Sequence, residues 1–284
     1  MARVYGFDWE IYAQRVMPAF ARWLIDDDET NIYQLYRQTR CAQEEQFVPH
    51  IMQQLQTWPR AQAFVQQLPR GLHAHREYQQ LCDAVYFTDL SDLYFHRHPP
   101  QLYQNATPLR VIWGAIVEAH CISWFDTPCN APTTEAATAE EASVPGEESI
   151  AVAPTGVMIG RPPSILHMRG WLATISVRSM ALFELLAFGR RCMPFGYRAN
   201  EPFEAYIGYL TPDELWQLAL CLRNVQPPNQ TQAKEQYTRF RLQQAEHSAM
   251  FSMIDEVLPA HAEAFLKAVR TVAPQGLGLI CSTD

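Results

Sequence analysis

Lysine is almost missing from this chain: of 22 basic residues only Lys234 and Lys267 are lysine, and the others are arginine. That scarcity removes the usual candidates for Schiff-base chemistry and for the lysine of a phosphate-binding loop. Paired cysteines are missing too. Cys41, Cys82, Cys121, Cys129, Cys192, Cys221 and Cys281 are odd in number and scattered, with no C-x-x-C among them. Neither a structural zinc site nor a disulfide framework is indicated. The sequence has no G-x-S-x-G, no H-E-x-x-H, no Walker loop, no kinase triplet and no EF-hand loop, which sets aside the enzyme classes with short signatures. Gly276-Leu277-Gly278 lacks the third glycine and the following helix of a dinucleotide fingerprint, so no cofactor is indicated by motif. No cationic start leads into an apolar run, because Asp8, Glu10 and Arg15 interrupt the first stretch. Export is therefore not indicated, and a reducing cytoplasm is expected. Positive charge is also lacking: at a net charge of -8, nucleic-acid binding would need a local basic patch and is not expected.

What is present is apolar material. With 284 residues, 48% of them hydrophobic and 18% charged, the chain has enough to bury about three quarters of its unfolded surface. Helical spacing governs the first ninety residues. Trp9, Tyr12, Ala13, Val16, Phe20 and Trp23 form one stripe, capped by Asp8 and kinked at Pro18. Further stripes run through Ile32, Leu35 and Tyr36, through Phe47, Ile51 and Leu55, through Ala61, Phe64, Val65 and Leu68, and through Tyr78, Leu81, Cys82 and Val85. No period-two alternation competes with them.

Two helices look buried. Thr107-Pro108 opens the first, apolar from Leu109 to Phe125 except at Arg110, Glu118 and His120. The second runs from Ser164 to Phe188 and stops at Gly189. Its charges Arg169, Arg178 and Glu184 argue against a membrane span, at about 2.5 to 3.5 kcal/mol each on insertion scales. Glu118 on so apolar a helix calls for an arginine, with Arg169 or Arg178 as donor. Between the two helices, residues 127–163 are rich in Pro, Ala, Thr and Glu with no basic residue before Arg161. They read as a disordered acidic linker between an N-terminal helical part, 1–126, and a C-terminal part, 164–284, that share one core.

Ala205 to Leu210 reads as a strand, and Thr211-Pro212-Asp213-Glu214 as a capping box with first-turn proline. The helix that follows puts Leu215, Leu218, Ala219 and Leu222 on one face. A long helix is expected from Thr231 toward Leu258, then a bend at Pro259, a last helix and a tail strand, Leu277 to Cys281, pairing with 205–210. The expected fold class is therefore mainly α: a multi-helix bundle with two central apolar helices and a minimal two-stranded β element near the C-terminus.

Four places could carry chemistry. His96 and His98, with Pro99-Pro100 after them, can present two imidazoles to one metal from an extended segment; His73 and His75 repeat the spacing on a predicted helix, where the rings diverge. His247 and His261 sit on apolar stripes and read as core histidines. Arg190, Arg191 and Arg198 surround Cys192, and guanidinium groups beside a thiol favour the thiolate, although arginines past a helix end also cap its carbonyls. His167, Trp171, Thr174 and Arg178 recur at helical spacing and form either a stripe for an anionic or planar ligand or simply a solvent face. Twelve tyrosines, seven tryptophans and an arginine-dominated basic complement suit protein recognition. The expectation is a non-catalytic binding protein, a regulator, assembly factor or immunity-like partner, acting on a protein. The competing expectation is a small-molecule enzyme, metal-assisted, built on His96, His98 and the 167–178 stripe.

Overall fold

The computed structural model describes residues 1–45, 56–84, 107–123, 156–160, 162–191, 205–229, 231, 235 and 258–283. They are mostly helical with a small antiparallel sheet. The sheet has five strands, where the sequence suggests two. The pair expected from the sequence is present: β4 (Ala205–Leu210) runs antiparallel to β5 (Gly278–Thr283), with Tyr209 opposite Ile280 and Leu210 opposite Leu279. The missing partner is β1 (Ala2–Phe7), which pairs with β5 from Ala2↔Thr283 to Phe7↔Gly278. On its other edge β1 takes two short strands, β2 (Ile122–Ser123) and β3 (Val157–Gly160). β3 lies within the stretch read from sequence as linker, so ordered structure begins before that boundary.

Asp8 leads out of β1, its carboxylate accepting from the Ile11 amide at 3.0 Å to cap α1 (Trp9–Ile11). A π-helical turn over Tyr12–Val16 joins α1 to α2 (Met17–Asp26). Pro18 has no N–H for the carbonyl one turn back, and its ring crowds that carbonyl. The wider turn ahead of it takes up the mismatch, so the expected kink takes the form of a π turn. Then follow α3 (Thr30–Arg37), α4 (Arg40–Glu45), α5 (Thr57–Gln66), α6 (Leu72–Leu81) and α7 (Thr107–His120). After β3 come α8 (Pro162–Ile175) and α9 (Val177–Ala187), after β4 comes α10 (Pro212–Cys221), and α11 (Leu258–Val272) precedes a 3-10 turn over Ala273–Gln275 and β5. Pro259 sits in the first turn of α11, and the helix expected ahead of it lies almost wholly outside the described residues.

The sheet separates two helical layers. Along β5, Ile280 faces one side, with Phe7, Tyr209 and the helices α2 to α7. Leu279 and Cys281 face the other, with Ala2, Val4, Leu210 and the helices α8 to α11. This is the period-two alternation of a strand buried on both faces. The helices are therefore shared between two faces and are not gathered into one bundle. The two apolar helices do not pair with each other: α7 lies against α3, α4 and α5, and α8 and α9 lie beyond the sheet. Nor is α7 buried all round, since Val111 and Glu118 are exposed. Among the described residues no helix is long and apolar enough to cross a membrane.

Candidate functional site

The helix expected over 164–188 is broken. Ser176 takes an extended conformation between α8 and α9, and its Oγ accepts from the Ser179 amide at 3.0 Å as an N-cap. The Ser179 hydroxyl in turn donates to the Leu172 carbonyl at 2.9 Å, tying the second helix to the end of the first. The break divides the 167–178 stripe, which cannot be one line on one helix. His167 and Trp171 are buried in the core beneath α8, at 8% and 6% exposure. Burial lowers the His167 pKa by penalising its charged form. Thr174 is exposed, with its hydroxyl donating to the Trp171 carbonyl at 2.7 Å. Arg178, now on α9, is exposed and donates to Gln217 Oε1 on α10.

Among the described residues the buried carboxylate is Glu184, while Glu118 is exposed. Glu184 is 1% exposed, and its two oxygens are bridged by Arg169 from α8 and by Arg190 just past α9. A carboxylate buried so deeply needs such compensation, and two half-exposed guanidinium groups supply it. Arg191 is itself buried: it donates to Tyr209 O at 3.0 Å and to Glu214 Oε1 at 2.5 Å, and lies 4.3 Å from the Tyr209 ring centroid. Both arginines are thus engaged by carboxylates and do not simply cap the end of α9. Their charges are compensated, which weakens the argument that they activate a neighbouring thiol. Cys192, Arg198, His96, His98 and His247 lie outside the described residues. His73 and His75 are two apart on α6, on different sides of the helix. His261 is buried on α11, as a core histidine. Among the described residues no group of three or more His, Cys, Asp or Glu is placed to hold a metal.

One polar cluster escaped the sequence reading. Tyr36 donates to Glu45 Oε2 at 2.8 Å and lies 3.5 Å from Cys41 Sγ, while Glu45 Oε1 accepts from the Thr57 amide at 2.5 Å. Trp58 stacks beside it on Trp23 and Tyr36, at centroid distances of 5.0 and 5.3 Å. The Glu45 side chain thereby ties Tyr36 of α3 to the first amide of α5. Its oxygens are spent on that tie, so the cluster is a structural joint.

The exposed surface offers a different arrangement. The capping box fixes the start of α10, with the Thr211 amide donating to Glu214 Oε2 at 2.8 Å. Leu215, Leu218 and Leu222 then point to the core. The same periodicity turns Asp213, Trp216 and Leu220 outward, and Arg223, in the turn just past the C-cap Leu222, is exposed as well. Trp216 is 52% and Leu220 56% exposed, one turn apart. Arg178, next in sequence to the 75% exposed Val177, donates to Gln217 of α10. An exposed indole and leucine one turn apart, on a helix that also anchors an exposed arginine, have the composition of a contact surface. No protein-family model, no curated protein and no solved structure matches this chain.

Proposed function

We propose that this chain is a non-catalytic binding protein of the cytoplasm that engages a protein partner through the face formed by α10 and the start of α9. The observation that carries the reading is the exposure of Trp216 and Leu220 on one face of α10. Large apolar side chains gathered on one outward face leave water unfavourably ordered, and covering them is the available gain. Arg178, steadied by Gln217, gives the rim a cation that favours a carboxylate on the partner. The five described cysteines are free thiols, in keeping with a reducing compartment. The enzyme reading gains nothing comparable, because the stripe it used is divided between two helices and its histidines at 96 and 98 lie outside the described residues.

The test is affinity capture from the native host with the wild-type chain and with Trp216→Ala and Leu220→Asp. A protein recovered with the wild type, lost with both variants and bound again in purified form supports the reading. Equal recovery by all three, or by none, rejects it.

A further inference from the structure

The outward stripe of α10, extended to Arg223 in the turn that follows it, has an internal symmetry in sequence position. Asp213 and Arg223 each stand five residues from position 218, and Trp216 and Leu220 each stand two residues from it. Laid antiparallel on a copy of itself, a helix brings together residues equidistant from the crossing point. Each carboxylate then meets a guanidinium, and each indole meets a leucine. A two-fold interface between identical subunits requires this property, because the same patch must complement itself. We propose that the α10 face is the two-fold interface of a homodimer, with Asp213 beside the partner's Arg223 and Trp216 packed on the partner's Leu220. This rests on the reading of that face as a binding surface and names its occupant.

The neighbouring charges leave those two groups to set the register. Glu214 is held by Arg191 and by the capping box. Arg270 is turned onto the carbonyls of Leu222 and Val225 at the end of α10. Asp213 and Arg223 are exposed and make no ion pair among the described residues. Their positions also suit the dipole of that helix, with Asp213 in its first turn and Arg223 just past its end. That local effect accounts for the charges but not for the tryptophan and leucine between them. Antiparallel pairing accounts for all four. Arg178, tied to α10 through Gln217, widens the contact at its rim. A helix of this length covers less than the roughly 800 Å² per partner of a standard interface. The dimer is therefore expected to be reversible and dependent on concentration.

The experiment is sedimentation velocity on the full chain over a wide concentration series at physiological ionic strength. The wild type is expected to pass from its 32.6 kDa monomer to twice that mass. Asp213→Arg and Arg223→Asp each set like charges against one another at both symmetry-related contacts and should weaken dimerisation at least about tenfold. The double variant restores opposite charges and should return most of the affinity. Trp216→Ala should abolish the dimer while circular dichroism and thermal midpoint show the fold intact. A wild type that stays monomeric throughout overturns the proposal, as does a dimer indifferent to the single exchanges, one not rescued by the double, or one that survives Trp216→Ala. A monomeric wild type that still captures a host protein through Trp216 defeats the homodimer and leaves the binding reading standing. Loss of both defeats both.

Discussion

Two tryptophans at opposite ends of the exposure scale separate packing from recognition. Trp171 is 6% exposed within the core between α8 and the sheet, so Trp171→Ala should cost about 3–5 kcal/mol in urea unfolding. Trp216→Ala removes a side chain from water and should shift stability by under about 0.5 kcal/mol. His167, one turn from Trp171, adds a pH dependence. Burial lowers its folded-state pKa below the ordinary 6.5, so the unfolded chain takes up the proton first. Stability contributed by the neutral imidazole is full above about pH 6.5 and declines as pH falls from there toward the folded pKa. His167→Gln should flatten this acid limb, and an unchanged slope would show that other groups set it. Burial likewise pushes the thiols of Cys82 and Cys121 up to about 12. Alkylation read by mass spectrometry should therefore label Cys41 and Cys221, which are partly exposed, well before those two.

Among the elements, the legible parts are those whose signals lie next to one another in the chain. Asp8 and Ile11, and Thr211 and Glu214, sit within one turn, so both caps can be read from the sequence and both form. β1 escaped because it is buried on both faces: Val4 faces one layer and Phe7 the other. Such a strand lacks the polar alternation that marks a half-buried one. The break at Ser176 escaped because neither proline nor glycine marks it, and one serine hydroxyl restarts a helix through an unbroken apolar run. The outward face of α10 could have been found. Leu215, Leu218, Ala219 and Leu222 define the inner stripe, which by subtraction leaves Trp216 and Leu220 outside. Glu118 and Glu184 were not separable from sequence, because burial depends on which layer covers each turn. At the sheet, Tyr206 pairs with Ser282 and Gly208 with Cys281, leaving Ile207 as an inserted bulge residue. Gly208 lies against the carbonyls of Leu185 and Leu186 on α9, where a β-carbon would collide with backbone. Gly208→Ala should thus destabilise the molecule by about 1–3 kcal/mol through forced displacement of α9. A change below about 0.5 kcal/mol would mean that helix and strand are not so closely seated.

Across the whole molecule, the strand that comes first in sequence and the strand that comes last are hydrogen-bonded neighbours at the middle of the sheet. Contacts so distant in sequence carry a large closure entropy, which only the burial of both sheet faces offsets. Neither helical layer has a complete floor without strands from the other end: Ile280 lies under the first layer, and Ala2 and Val4 under the second. Residues from both 1–126 and 164–284 thus meet on each face of the sheet. Fragments 1–126 and 156–284, made separately, should each fail to unfold cooperatively, because each would expose an unpaired edge of β1 or β5 and a bare layer of apolar helices. Mixed or coexpressed, they should regain one cooperative transition, since β1 can find β5 without a covalent link between the halves. Calorimetry on the two fragments alone and together decides it. A sharp independent transition in either fragment would show that a layer is complete without the opposite strand, and that the shared sheet joins two bodies already folded.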